Sequence, residues 1–169
     1  YLVEEVLRQQ PPDVEHFLLH TAILERLCGD VCDVLTEETS GQETLERLEH
    51  ANLLLIPLDS NRTWYRYHHL FADVLRVRLQ KQFPDDVARL HVHACDWFAA
   101  HDLPLDAIRH ALAAHAFEKA ADLLERIWEA MDLSYQNATW LTLASQLPDS
   151  IIADRPMLSF GFAWAMLNA

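Results

Sequence analysis

The chain has 169 residues, 51% of them hydrophobic and 9% aromatic, enough to bury a sizeable core and too apolar for a disordered segment. Its formal net charge is −13, and both stretches on either side of residue 84 are acidic, with 8 basic against 14 acidic residues and then 5 against 12. Binding to a phosphate backbone needs clustered Lys and Arg, so this balance argues against direct nucleic-acid binding.

Only three glycines accompany a heavy load of Ala, Leu and Glu, a composition that favours helices with short connections. Cys28, Cys32 and Cys95 are an odd set without a disulfide framework. No apolar run approaches the roughly 20 residues that span a bilayer. Tyr1 already lies in a helix-like pattern, so the expectation is a reduced, cytoplasmic, internal piece of a longer protein with no membrane partner.

In chain order, residues 1–9 read as the end of a helix stopped by Pro11-Pro12. Asp13 is placed to cap the next helix, which would bury Val14, Phe17, Leu18, Ile23 and Leu24. "CGDVCDVLTEE" predicts a short helix packing through Val31, Val34 and Leu35. Gly41 reads as a break, and "ETLERLEHANL" predicts a helix striped by Leu45, Leu48 and Ala51.

The period then changes. "LLLIPL" (53–58) is too short for a helix, "TWYRY" (63–67) is aromatic and β-branched, and "DSNR" between them has turn chemistry. Three helices followed by two short strands is the order of a winged helix-turn-helix, and Pro57 marks its strand as an edge. The helical period returns at His69, with Leu70, Val74, Leu75 and Leu79 predicted on one face and Arg76, Arg78 and Lys81 elsewhere. Pro84 interrupts, and a helix over 85–101 would bury Val87, Leu90, Ala94, Trp97 and Phe98. "LDAIRHALAAH" and "FEKAADLLERIWEAM", then "ATWLTLASQLP" and "RPMLSFGFAWAML", predict two alanine-rich hairpins of the tetratricopeptide type. The expected fold is therefore mainly α: a winged-helix domain over 1–83 with a short two-stranded wing, followed over 84–169 by stacked TPR-like α-hairpins that continue beyond the chain.

The motifs of catalysis are missing. There is no G-x-x-x-x-G-K-[ST], G-x-S-x-G, H-E-x-x-H or G-x-G-x-x-G, so the segment is not expected to be an enzyme on its own. Cys28 and Cys32 lack the second pair of ligands a zinc site needs and read as small core residues, while His91 and Cys95 of "HVHAC" share one helix face in packing or solvent-facing roles. The predicted recognition helix carries Glu43, Glu46 and Glu49 against Arg47 alone, and the wing adds only Arg62 and Arg66, which is unsuited to reading DNA. His68 and His69 are different. At a helix start, free N–H groups and the helix dipole attract anions, and an imidazole there can donate to a phosphate. The same pair could instead pack against Trp64 and Tyr67, and spacing leaves both readings open.

"FLLHTAILERLCGDVCDVL", "LERLEHANLLLIPLD", "WYRYHHLFADVLRVRL" and "WLTLASQLPDSIIADRPML" resemble the MalT-type family of large bacterial regulators over nearly the whole chain. These are signal-transducing ATPases of the STAND class with a C-terminal LuxR-type helix-turn-helix. The resemblance implies the winged-helix domain that follows a nucleotide-binding domain, then the start of a helical sensor superhelix. In that class the winged helix carries an "MHD"-like motif whose histidine contacts the β-phosphate of ADP. Tyr67-His68-His69-Leu70 aligns with it, with His68 as the sensing histidine, His69 in place of the usual Asp and Tyr67 in place of the usual Met.

The resemblance further implies that the segment itself holds no cofactor, while the parent binds ATP or ADP with Mg. The implied partners are the parent's own nucleotide-binding domain, its sensor superhelix and a small-molecule inducer. The function expected is a switch and adaptor region of an ATP-dependent transcriptional activator. Two alternatives stand beside it: a helical protein–protein interaction module without a nucleotide link, and a DNA-binding winged helix. Apolar faces that further domains would cover give the isolated segment a route to self-association.

Overall fold

Pro11 and Pro12 set where the first described helix begins, because a proline at the first helical position supplies a fixed φ and lacks an N–H that would go unused there. The computed structural model describes residue 7 and residues 9–168; the helix end expected over residues 1–9 falls almost wholly outside them. Helix α1 runs Pro12–Thr21 with Pro11 as its N-cap. Asp13 is thus inside the first turn, where its charge favours the dipole, and does not cap as expected. Val14, Phe17, Leu18, Ile23 and Leu24 are all buried.

Helix α2 (Gly29–Thr36) buries Val31, Cys32 and Leu35. Val31 and Leu35 face inward as expected, but Val34 is exposed and Cys32 takes the remaining inward place. Helix α3 (Gly41–His50) buries Thr44, Leu45 and Leu48 and leaves Ala51 at the surface beyond its end.

Gly41 opens α3 rather than breaking the chain. A Cβ on Gly41 would stand 2.5 Å from the Gly29 carbonyl oxygen, and a Cβ on Gly29 would stand 2.8 Å from the Gln42 Cβ. The two helix starts approach too closely for any side chain. The Gly41 N–H donates to Asp33 Oδ1 at 2.7 Å, securing that approach.

The wing follows. Strands β1 (Leu55–Pro57) and β2 (Tyr65–Tyr67) pair antiparallel, Leu55 opposite Tyr67 and Pro57 opposite Tyr65. On its other side β2 meets Leu27, which exchanges backbone hydrogen bonds of 2.7 and 2.8 Å with Tyr65. Strand β2 is therefore central and β1 is the edge, where Pro57 costs no ladder bond. Alternation puts Tyr65 and Tyr67 in the core and Arg66 outside.

Helix α4 (His69–Gln82) buries Phe71, Ala72, Leu75 and Leu79. Leu70, expected inside, is 60% exposed. Two apolar rows one residue apart run along this helix, and the core selects the row containing Phe71. Arg76 and Arg78 tie α4 to α1: Arg76 Nε donates to the Ala22 carbonyl at 2.9 Å, and Arg78 lies 2.6 Å from Glu15 Oε1. The first bond satisfies an orphan carbonyl at the end of α1.

Pro84 starts helix α5 (Pro84–Ala100). Two compact units, Tyr1–Ala94 and Cys95–Ala169, divide within this helix. Leu90, Ala94, Cys95 and Phe98 are buried, while Val87 and Trp97 remain partly exposed.

In the second unit, α6 (Pro104–Ala113), α7 (Phe117–Leu133), α8 (Asn137–Ala144), α9 (Asp149–Asp154) and α10 (Pro156–Asn168) follow the end of α5. Helix α6 packs on α7, α7 on α8, and α10 on both α7 and α8. Ala107, Ala111, Ala120 and Ala121 are fully buried, which lets helix axes come close. Trp140 is buried edge-on to Trp128 and donates from Nε1 to the Leu124 carbonyl at 3.0 Å. Gly161 fits against these two rings, since a Cβ there would be 3.0 Å from the Trp140 ring. Arg155 reaches three carboxylates on one face of α7, Glu118, Asp122 and Glu125, at 2.6 to 3.1 Å. The short helix α9 was not expected from the sequence.

Candidate functional site

The site expected at the start of α4 is built where an extended strand turns into a helix. Tyr67 ends β2 with its ring buried, and its hydroxyl is 2.7 Å from Thr21 Oγ1. Thr21 donates to the Phe17 carbonyl at 2.7 Å. A threonine hydroxyl has one proton, so Tyr67 is the donor in the shared bond. Burial pushes the Tyr67 phenol far up, and it stays protonated.

His68 comes next as the N-cap of α4, with an extended ψ of 134°. Its N–H donates to the Leu54 carbonyl at 2.7 Å, and its own carbonyl accepts from Phe71 and Ala72. Leu54 and Asn52 both have φ of 53°, a left-handed conformation that is costly for Leu, so the loop before β1 is held in a strained form that presents its carbonyl to His68.

The two imidazoles lie 4.4 Å apart, His68 half-buried and His69 exposed. Among the described residues neither ring makes a side-chain hydrogen bond or an ion pair. The His69 and Leu70 N–H groups, at the first two positions of α4, have no acceptor within the helix. The sequence locates His68 and His69 but not the support beneath them: Thr21, Leu54, and Tyr67 as an anchor. A lone hydroxyl among the apolar residues at the end of α1 was the available signal.

Around α3, the helix that would read DNA in such a fold, three of the basic groups are already engaged. Arg62 Nε contacts both Glu49 carboxylate oxygens at 3.1 Å, Arg47 pairs with Asp13 at 3.6 Å, and Arg26 lies 4.7 Å above the Trp64 ring. Glu43 and Glu46 face solvent. This helix presents carboxylates where a DNA reader presents cations.

The remaining reactive groups are packed away. Cys28, Cys32 and Cys95 are buried, and burial raises all three thiols above their usual range, away from the reactive thiolate. Burial lowers His91 to about 4, with the Arg76 guanidinium adding to the effect. His20 is likewise lowered by burial; its Nδ1 is 3.0 Å from the His16 carbonyl and its ring stacks on His16. Among the described residues no three His, Cys, Asp or Glu side chains gather as metal ligands, and no helix is long and apolar enough to cross a membrane.

Three helices, a two-stranded wing with a third strand contact at Leu27, and a closing helix define a winged-helix domain, followed by helices. The family model of the MalT winged helix domain matches residues 3–87, and the chain belongs to that family. It is 35% identical over 169 residues to the HTH-type transcriptional regulator MalT of Yersinia enterocolitica, covering 97% of this chain and 18% of that protein. It is 34% identical over 167 residues to the MalT regulator of Klebsiella pneumoniae, covering 98% and 18%. It is also 35% identical over 165 residues to the serine/threonine-protein kinase PknK of Mycobacterium tuberculosis, covering 98% of this chain and 15% of the kinase. The chain thus spans less than a fifth of the length of these relatives. Its resemblance is to a region of MalT-type transcriptional regulators.

Proposed function

We propose that this chain is the switch and adaptor region of an ATP-dependent bacterial regulator, coupling nucleotide state to inducer sensing and oligomerisation. The observation that carries the reading is the pair of unpartnered imidazoles at the start of α4, seated on the Tyr67–Thr21 anchor. In this account His68 donates to the β-phosphate of ADP held on the parent's nucleotide-binding domain, and His69 stands beside it. The parent supplies ATP or ADP with Mg, the STAND-class ATPase chemistry, a LuxR-type DNA-binding module and the inducer site. This chain itself performs no catalysis and binds no nucleic acid, and it works in the cytoplasm. Its second unit begins a TPR-like sensor superhelix.

The breadth of the relatives supports a coupling role. Nearly the whole chain has a counterpart both in proteins named as transcriptional regulators and in one named as a kinase. A segment common to such different outputs is better suited to relaying a state than to performing either output. ADP clasped by His68 favours a closed form, and ATP with inducer favours an open, oligomerising one. In the intact parent, His68→Ala is expected to weaken ADP retention by about tenfold, the worth of one charge-assisted hydrogen bond. Inducer-independent activity rises with it. Unchanged ADP affinity together with unchanged basal activity would overturn the assignment.

A second reading has one observation in its favour. Met157, Phe160, Trp164 and Leu167 are exposed along α10 at helical spacing, as in a helical interaction module that needs no nucleotide. Retained partner binding by a parent unable to bind nucleotide would favour it.

A further inference from the structure

The junction between α1 and the first turn of α5 lies apart from the histidine pair of α4 and encloses another imidazole. His20 sits in the last turn of α1 with its side chain 5% exposed, and its Nδ1 is 3.0 Å from the His16 carbonyl oxygen. A carbonyl oxygen only accepts, so Nδ1 is the donor and carries the proton of the neutral ring. Nε2 is then a lone pair, and it faces Asp86 Oδ2 at 4.0 Å, one acceptor opposite another. Asp86 holds Arg89 through Oδ1 at 2.9 Å, and Arg89 reaches Glu37, the C-cap of α2, at 3.1 Å. The His16 ring stacks on His20 at 3.9 Å, and the Phe83 ring lies 5.4 Å away. An open cavity of about 230 Å³ borders these groups and brings water to the junction.

We propose that His20 and Asp86 form a proton-released clasp that fastens the first turn of α5 to α1, closed while Nε2 is bare and loosened when a proton binds there. The groups around the ring decide the sign. A proton on Nε2 would place a cation in a buried site, beside the Arg89 guanidinium and against a second imidazole, and all three oppose it. Asp86 favours it, but Arg89 already shares that charge, and Glu37 is engaged by the same guanidinium. Burial is the largest influence on His20 and holds its protonation below the ordinary histidine range, with Asp86 only partly offsetting it. Peeling back the first turn of α5 gives water to the imidazolium. The open form therefore binds the proton more readily than the closed one, and acid favours opening. The two compact units divide within α5, so the clasp controls one fastening of the helix they share.

Nitrogen-15 NMR of the His20 ring in the 169-residue chain, assigned through the backbone, reads the tautomer. At pH 7.5 the proton is expected on Nδ1. Amide exchange, corrected for intrinsic rates, then follows the opening. Ala88, Arg89 and Leu90 donate the first hydrogen bonds of α5, and Tyr65 donates to Leu27 at the centre of the wing. Between pH 7.5 and pH 5.5, protection of the three α5 amides should fall about three- to tenfold further than that of Tyr65. The difference should persist in His91→Gln and vanish in His20→Gln. Asp86→Asn removes the carboxylate facing Nε2 and should lower the His20 titration midpoint. A neutral ring protonated on Nε2, an equal fall at Tyr65, or an unchanged midpoint in Asp86→Asn would overturn the clasp. So would the same difference in a His20→Gln variant shown by circular dichroism to be folded; if that variant does not fold, the other three readings decide.

Discussion

The Tyr67 hydroxyl lies 2.7 Å from Thr21 Oγ1, joining the last residue of the wing to the last turn of α1. Through this bond the backbone that carries His68 is tied to the core of the winged helix, and the imidazole next in sequence emerges from a fixed point. The Arg76 and Arg78 contacts hold the other side of the same junction by fastening α4 to α1.

Because Tyr67 is the donor and Thr21 passes its own proton to Phe17, the two partners are not equivalent. Tyr67→Phe removes the donor, and Thr21 keeps its bond to the backbone; a loss of about 1 kcal/mol is expected. Thr21→Val leaves a buried phenol without an acceptor and is expected to cost more, about 1–3 kcal/mol. Urea melts of both single variants and the double variant measure this. The double variant should be less destabilised than the sum, since the pair acts as one unit.

Gly29 and Gly41 make a second kind of claim. A Cβ on Gly41 meets backbone and carboxylate oxygens at 2.5 and 2.7 Å, and a Cβ on Gly29 meets Gln42 at 2.8 and 2.9 Å. Neither neighbour can swing away as a long side chain would. Each Gly→Ala change is expected to destabilise by about 1–3 kcal/mol, the usual range for overpacking, despite the better helix propensity of alanine. A denaturation midpoint that rose instead would contradict the close helix approach.

His91 gives a pH dependence of known sign. Its folded value is lowered from 6.5 to about 4, so between those values the unfolded chain binds a proton that the folded chain refuses. The stabilisation from this group is complete above pH 6.5 and is lost progressively as pH falls towards 4. Buried His20 is shifted in the same direction and adds to the trend. Urea melts at pH 7.5 and pH 5 should differ less in His91→Gln than in the parent sequence. An equal difference in both proteins would remove His91 from the account.

The sequence was most readable where the period of apolar residues changed. The wing, its turn and its edge strand followed from "LLLIPL", "DSNR" and Pro57, and the restart of the helix from Pro84. The phase of α4 was readable in part: Leu75 and Leu79 are buried as expected, but Leu70 and Val74 begin a row as regular as Phe71 and Leu75. Only the core chooses between them, and it chose the row with the aromatic ring. The pairing of Leu27 with Tyr65 has no sequence pattern, being a single bridge without a strand around it. Gly41 reads as a break in the sequence because glycine marks loops more often than it marks two helices in close approach. For the site, the histidines were visible as types at a helix start, while Thr21 and Leu54 reach them only through the tertiary fold.

The central claim is that His68 touches a nucleotide phosphate in the intact parent. Histidine-labelled parent protein, with the His68 ring signal assigned by His68→Gln, allows its protonation to be followed by NMR with and without ADP. A phosphate within hydrogen-bond reach favours the imidazolium, so ADP should raise the titration midpoint of His68. Adding ATP with inducer should reverse the rise. A His68 midpoint that is the same in the ADP-bound and nucleotide-free parent would contradict the account.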